Sequence, residues 1–157
     1  MKKNPARFIF SKLQSGFTLI ELLIVIGILA ILLSIVLIAI NPAKQFSLAN
    51  NTQRRSDVEA MLNAIQQYAA DNKGALPTGI TETTQIISNT EANICASLVP
   101  QYIAALPVDP ANGSAIAEAD CGGTYDTGYT VIKSATNNRV TVNAPGAELS
   151  ASISATR

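Results

Sequence analysis

The sequence predicts an α+β protein in which one long N-terminal helix packs against a small antiparallel β-sheet head. Residues 17–40 form an almost unbroken apolar run, and residues 41–74 carry an amphipathic helical pattern. Residues 75–157 hold short β-rich runs separated by turn residues. We therefore expect a short basic segment over residues 1–16, then a membrane-spanning half-helix over 17–40, an amphipathic half-helix over 41–74 and a globular head over 75–157.

The composition argues against an enzyme. Hydrophobic residues make up 48% of the 157 residues and charged residues only 14%, whereas soluble domains carry about 25% charged residues. The chain has no histidine, which removes the commonest general base and metal ligand. The 11 basic and 11 acidic residues cancel, which disfavours a nucleic-acid partner attracted by net charge. We expect no catalytic residue, no cofactor and no metal.

The apolar run is long enough to cross a membrane. Residues 17–40 span roughly 36 Å as a helix, against a hydrocarbon core of about 30 Å. Their Leu, Ile and Val side chains favour insertion by about 5–10 kcal/mol, which exceeds the roughly 2.5–3.5 kcal/mol cost of an acid at the bilayer centre. The run therefore inserts despite its single acid, Glu21.

The charge on either side of this run predicts its topology. Residues 1–16 carry a net charge of +4, and the rest of the chain carries −4. Basic flanks remain in the cytoplasm. We expect a single-pass membrane protein with a cytoplasmic N-terminus and its head outside.

Two ordinary explanations of the apolar run fit less well. A secretory signal peptide has an apolar region of about 7–15 residues followed by a small-residue cleavage site, but this run is longer and ends at Asn41-Pro42. A plain anchor gives no reason for Glu21, because ionisable groups inside membranes usually have a partner or a function.

The segment around this acid resembles the class III signal of type IV pilins and type II secretion pseudopilins. The matching residues are Ser15-Gly16-Phe17-Thr18-Leu19-Ile20-Glu21-Leu22-Leu23-Ile24-Val25. The resemblance implies a pilin-like fold, cleavage by prepilin peptidase between Gly16 and Phe17, and N-methylation of Phe17. The cleavage would remove residues 1–16 as a cytoplasmic basic leader peptide. It also makes Glu21 the assembly residue, fifth in the mature chain.

The resemblance implies a structural subunit that polymerises through its N-terminal helix. Membrane lipid surrounds the helix before assembly, and the product is an extracellular or periplasmic filament. The implied partners are further copies of the chain, prepilin peptidase, an inner-membrane assembly platform and a motor ATPase. A pseudopilin of a secretion system and a membrane-anchored binding domain that never polymerises are the alternatives.

The second half-helix follows the break signal Asn41-Pro42, which permits either one kinked helix or two helices. An apolar stripe at helical spacing predicts the face that packs on the head: Val58, Met61, Leu62, Ile65, Tyr68 and Ala69. Arg54 and Arg55 fall mainly off this stripe. Two arginines neutralise few phosphates, which favours a solvated or intersubunit face over a nucleic-acid contact. Gly74 is the expected C′ residue of the helix.

The head is predicted to contain two strands, at residues 129–133 and 139–142, with a possible edge strand at 149–153. Ile86-Ile87 is assigned to a loop or short helix, and a weakly helical start is expected after Glu91. Such a small core is marginal by itself.

Two further features of the head bear on its stability and ligands. Cys95 and Cys121 are expected to form a disulfide outside the cytoplasm, with two reduced, buried thiols as the alternative. The Asp109-Pro110-Ala111-Asn112-Gly113 segment partly resembles a calcium loop of some pseudopilins, which has Asp-Pro-Trp-Gly, and Asp120 and Asp126 lie nearby in sequence. The Trp-Gly part is missing, and acids beside glycine are ordinary turn residues.

Overall fold

A computed structural model of the chain describes residues 16–114 and 121–157, which fall into two compact units divided at the Asn41–Pro42 bond. The predicted leader, apart from Gly16, and Asp120 lie outside the described residues.

The first unit contains helix α1, Leu19–Ile40. Its apolar residues occur on every side of the helix, and none of its side chains is buried. The helix is long and apolar enough to cross a membrane. Asn41 follows in a left-handed conformation, with φ 43°. An all-round apolar surface of this length is typical of a helix that is solvated by lipid or covered by other helices.

The second unit begins with helix α2, Pro42–Asp71, so the break signal separates two helices, α1 and α2, at Asn41. Its predicted stripe is buried at Val58, Met61, Leu62, Ile65 and Ala69, and Tyr68 is half-buried. The spacing of apolar residues therefore identified the face of α2 that enters the core.

The end of α2 differs by one residue from the expected position. Lys73 has φ 58°, and the Gly74 N–H donates to Ala69 O at 2.7 Å. This is the longer bond of a Schellman ending, in which the left-handed C′ residue is Lys73 and Gly74 is the next residue. The assignment of Gly74 to C′ was wrong, although Gly74 also adopts a positive φ, 89°.

The head contains a four-stranded antiparallel sheet in the order β1-β2-β3-β4. The strands are β1 Gln85–Ser88, β2 Asp126–Lys133, β3 Val140–Asn143 and β4 Ser154–Thr156, and the short helix α3 spans Cys95–Leu98. The α+β class, with an N-terminal helical region followed by a small antiparallel sheet, is thus confirmed.

Two strand predictions were wrong. Ile86 and Ile87 lie in β1 rather than in a loop or helix, because this segment pairs with β2. The last strand is β4 and not residues 149–153, since Leu149 and Ser150 both have φ near 55°. These two left-handed residues make a turn, so the strand that pairs with β3 begins only at Ser154.

The core lies between the stripe of α2 and one face of the sheet, with α2 packing against β3 and β4. Alternate residues of β2 are buried, among them Thr127, Tyr129 and Val131. Burying a large apolar side chain contributes about 1.5–3 kcal/mol. The stripe of α2 is therefore a main source of the head's stability.

Candidate functional site

The start of α1 is organised around Glu21. Thr18 is the N-cap, and its Oγ1 accepts a hydrogen bond from the Glu21 N–H at 3.3 Å. In return, Glu21 Oε2 accepts from the Thr18 N–H at 2.9 Å and from Thr18 Oγ1 at 2.6 Å. This reciprocal capping box satisfies two of the free N–H groups at the helix start. It also fixes the carboxylate, using one oxygen for both bonds.

The peptide before the cap is open to an external protein. Gly16 and Phe17 are exposed and precede the helix, and Phe17 is 92% exposed. A Cβ built on Gly16 would meet nothing within 4 Å among the described residues. Local packing there does not require a glycine.

The second polar arrangement lies inside the head unit, around Arg54. Arg54 Nε donates to Asp109 Oδ2 at 2.6 Å and Nη2 donates to Oδ1 at 3.1 Å, which makes a bidentate ion pair. Both side chains are completely buried. The expectation that Arg54 lies on a solvated or intersubunit face was therefore wrong, whereas Arg55 is exposed.

The Asp109 turn closes around this guanidinium. Asp109 Oδ1 also accepts from the Ala111 and Asn112 N–H groups, each at 2.9 Å. A Cβ on Gly128, which has φ 73°, would lie 2.8 Å from Asp109 Cβ, and one on Gly146 would lie 2.9 Å from Asp109 Oδ2. These two glycines let neighbouring chain segments approach the carboxylate closely.

This geometry bears on the calcium hypothesis for the same turn. The Asp109 oxygens are already bonded to a guanidinium and two N–H groups, while Asp126 Oδ1 accepts from the Gly128 N–H at 2.8 Å. Within residues 16–114 and 121–157, no three Cys, Asp or Glu side chains form a metal-binding group. Arg54 takes the place where a cation would neutralise Asp109.

A second loop is bonded to the same face of α2. Asn51 Oδ1 accepts from the Glu148 N–H at 2.9 Å, and Asn51 Nδ2 donates to Glu148 O at 2.8 Å. The Glu148 carboxylate accepts from Arg54 Nη1 at 3.2 Å and from Asn50 Nδ2 at 3.1 Å. Arg54 thus joins α2 to two loops that are far apart in sequence.

The next turn of α2 is attached to the sheet through another buried bond. The Tyr129 hydroxyl donates to Asp57 Oδ2 at 2.7 Å, and Gln53 Nε2 donates to Asp57 Oδ1 at 2.7 Å. Among the described residues, no buried side-chain polar atom lacks a hydrogen-bond partner. A fully bonded polar network of this kind specifies one packing of helix against sheet.

The ionisation of these groups follows from their surroundings. Burial raises the pKa of Asp109, but the bonds from Arg54, Ala111 and Asn112 outweigh it and hold that pKa below its ordinary value. Burial, then the bond to Asp57, raises the pKa of Tyr129. Asp109 is therefore charged and Tyr129 neutral at physiological pH.

Cys95 and Cys121 are joined by a disulfide, with Cα atoms 5.5 Å apart. The bond links the start of α3 to the residues that precede β2. Cys95 is buried in the core cluster, and Cys121 packs against it. The disulfide therefore ties the residues that precede β2 to the core.

Residues 11–37 match the family model described as the prokaryotic N-terminal methylation motif. Among curated proteins and solved structures, none matches the chain significantly. The matched segment includes Gly16, Phe17 and Glu21. The chain therefore carries the class III signal of type IV pilins and pseudopilins, a motif of structural pilin-type subunits, and that recognition is confirmed.

Sequence reasoning missed the Arg54 network, although one signal pointed to it. Continuing the apolar stripe backwards from Val58 by four and seven residues gives Arg54 and Asn51. Both are buried. Polar residues that fall on a buried stripe require buried partners, but the stripe does not indicate that the partners are Asp109 and Glu148.

Proposed function

We propose that this protein is a structural subunit of a type IV pilus-like filament and not an enzyme. The precursor spans the inner membrane once, prepilin peptidase cuts it between Gly16 and Phe17, and Phe17 is N-methylated. The mature chains then leave the membrane and assemble through α1, assisted by a platform protein and a motor ATPase. The methylation motif supports cleavage and N-methylation. Assembly of the mature chains into a filament is our further proposal.

One observation carries the assembly step: α1 is apolar on all sides, and its only charged side chain is Glu21. Cleavage before Phe17 creates an amino group on each mature chain. A carboxylate and an ammonium that meet in an apolar setting gain from pairing, whereas either one alone costs several kcal/mol. Pairing between neighbouring copies therefore selects one axial stagger of the helices.

The capping box supports this role for Glu21. Both Thr18 bonds use Oε2, so Oε1 is the oxygen available to an ammonium group on an adjacent chain. A carboxylate already fixed by its own helix loses less conformational entropy when it pairs. Thr18 is therefore a positioning residue for Glu21.

Filaments sheared or purified from the native cells test the proposal. The wild-type chain should be the repeating component. Glu21→Ala should insert into the membrane but enter filaments at least about tenfold less, the equivalent of roughly 1.4 kcal/mol. Thr18→Ala should give a smaller loss, because the carboxylate remains but is no longer fixed.

Ser34→Ala is the matched control within α1, since the Ser34 hydroxyl bonds only to Ala30 O of its own helix in the described structure. It should assemble as wild type does. Normal incorporation of Glu21→Ala would refute the pairing step. A chain that stays membrane-bound, with its leader attached and no filament, would instead indicate a simple anchored domain.

A further inference from the structure

Strand β2 has opposite charges at its two ends. It begins at Asp126 and ends at Lys133. Glu91 belongs to the same end as Asp126, because Asp126 pairs with Ser88 and the Glu91 N–H donates to Ser88 Oγ. The two ends of β2 lie about 23 Å apart along the strand. That separation exceeds the Debye length of about 8 Å at physiological salt, so the two ends do not neutralise each other within one chain.

The Lys133 end opens into a basic cavity of about 450 Å³. Three cations line it: Lys133 and Arg139 flank the turn between β2 and β3, and Arg157 follows β4. Amide side chains complete the polar part of the wall: Gln66, Asn137 and Asn138. Such a set of cations and amides matches the oxygens of a carboxylate.

The cations keep donors beyond their internal bonds. Lys133 Nζ lies 3.5 Å from Glu82 Oε1 in a solvent-accessible pair. Arg139 Nη2 donates to Thr156 O at a long 3.4 Å, and Arg157 Nη1 donates to Asn63 Oδ1. A guanidinium has five N–H donors, so these bonds leave capacity for an incoming acid.

The opposite end offers acids of matching chemistry. Of the six acidic residues in 74–132, Asp109 is buried in its ion pair with Arg54 and Glu82 lies beside Lys133. Among the described residues, this leaves Glu91 and Asp126. Glu91 is exposed, and its Oε2 is fixed by the Ile86 N–H at 2.6 Å. Asp126 is partly exposed.

We propose that the acidic end of one head, at Glu91 and Asp126, docks into the basic cavity of a second copy of this chain. Such a contact joins two different surfaces, and head-to-tail contacts that do not close produce open helical filaments. The inference rests on the proposed function, because it names the contact between heads in the same filament. The contact between heads would select the neighbouring head by charge, in addition to the pairing of Glu21 with the amino group of a neighbouring α1.

Charge reversal in the full chain tests this contact. Arg139→Glu and Glu91→Lys should each reduce incorporation into filaments at least about tenfold, because each places like charges together. The two changes combined should restore most of the incorporation. Arg55→Glu is the matched control, since it makes the same charge change at an exposed arginine outside the cavity, and it should have little effect.

The outcomes separate this contact from the filament itself. Losses that the double variant does not repair, or an equal loss from Arg55→Glu, would overturn the docking proposal. If Arg139→Glu fails to fold, Arg139→Gln replaces it, and unchanged incorporation would count against the cavity. If the wild-type chain forms filaments and none of the charge reversals changes incorporation, this contact alone is overturned. If the wild-type chain forms no filaments, the proposed function is overturned as well.

Discussion

Replacing Arg54 with methionine would leave the Asp109 carboxylate buried without its guanidinium. Removing one partner of a buried ion pair costs about 3–5 kcal/mol. Asp109 would keep its bonds from the Ala111 and Asn112 N–H groups, and methionine would fill much of the vacated space. We therefore expect a loss near the lower bound, about 3 kcal/mol, which for a unit of this size lowers Tm by roughly 12 °C.

Thermal unfolding of the mature full chain in detergent micelles would measure this loss. The near-ultraviolet circular dichroism of tyrosine is a suitable signal, because the chain has no tryptophan and Tyr125 and Tyr129 are fully buried. Arg55→Met is the control. It removes an exposed arginine one residue away and should change stability by no more than about 0.5 kcal/mol.

A second variant separates the ion pair from packing. Arg54→Met combined with Asp109→Asn removes both charges but keeps an oxygen for the turn, so it should recover part of the lost stability. If Arg54→Met proves as stable as Arg55→Met, the pair does not hold α2 against the Asp109 turn, and our account of the head would be incorrect.

Three further predictions concern the head. Reducing the disulfide between Cys95 and Cys121, which closes a separation of 26 residues, should cost roughly 3 kcal/mol, measured by thermal unfolding with and without reductant. Tyr129→Phe should cost about 1–3 kcal/mol, because Asp57 loses a buried donor, and the same melts would show it. Because folding lowers the pKa of Asp109, its stabilisation is complete above the unfolded pKa of about 3.9 and is lost as pH falls through the folded pKa. The Tm should therefore fall as the pH is lowered below about 4, and it should fall less in the Asp109→Asn variant.

The general fold could be predicted because its signals are local and strong. The apolar run of α1 and the stripe of α2 extend over several helical turns, and the residues of β2 and β3 are mostly β-branched or aromatic. Such patterns can be recognised in the sequence without knowing which surface each element packs against.

The missed features depend on contacts between distant residues. The segment Gln85–Ser88 is too short to be distinguished by its own propensity, and it is a strand because β2 lies beside it. Arg54 has the ordinary character of a surface residue, and its burial depends on Asp109, 55 positions later. The turn at Leu149 and Ser150 uses left-handed conformations that non-glycine residues seldom adopt.

Assembly-linked processing is the central claim, and the mass of the subunit from native cells tests it most directly. An N-terminal peptide that begins at Phe17 and is heavier by one methyl group, recovered from filaments, is the predicted result. A chain that still retains residues 1–16 and is found only as dispersed monomers in the membrane would contradict it.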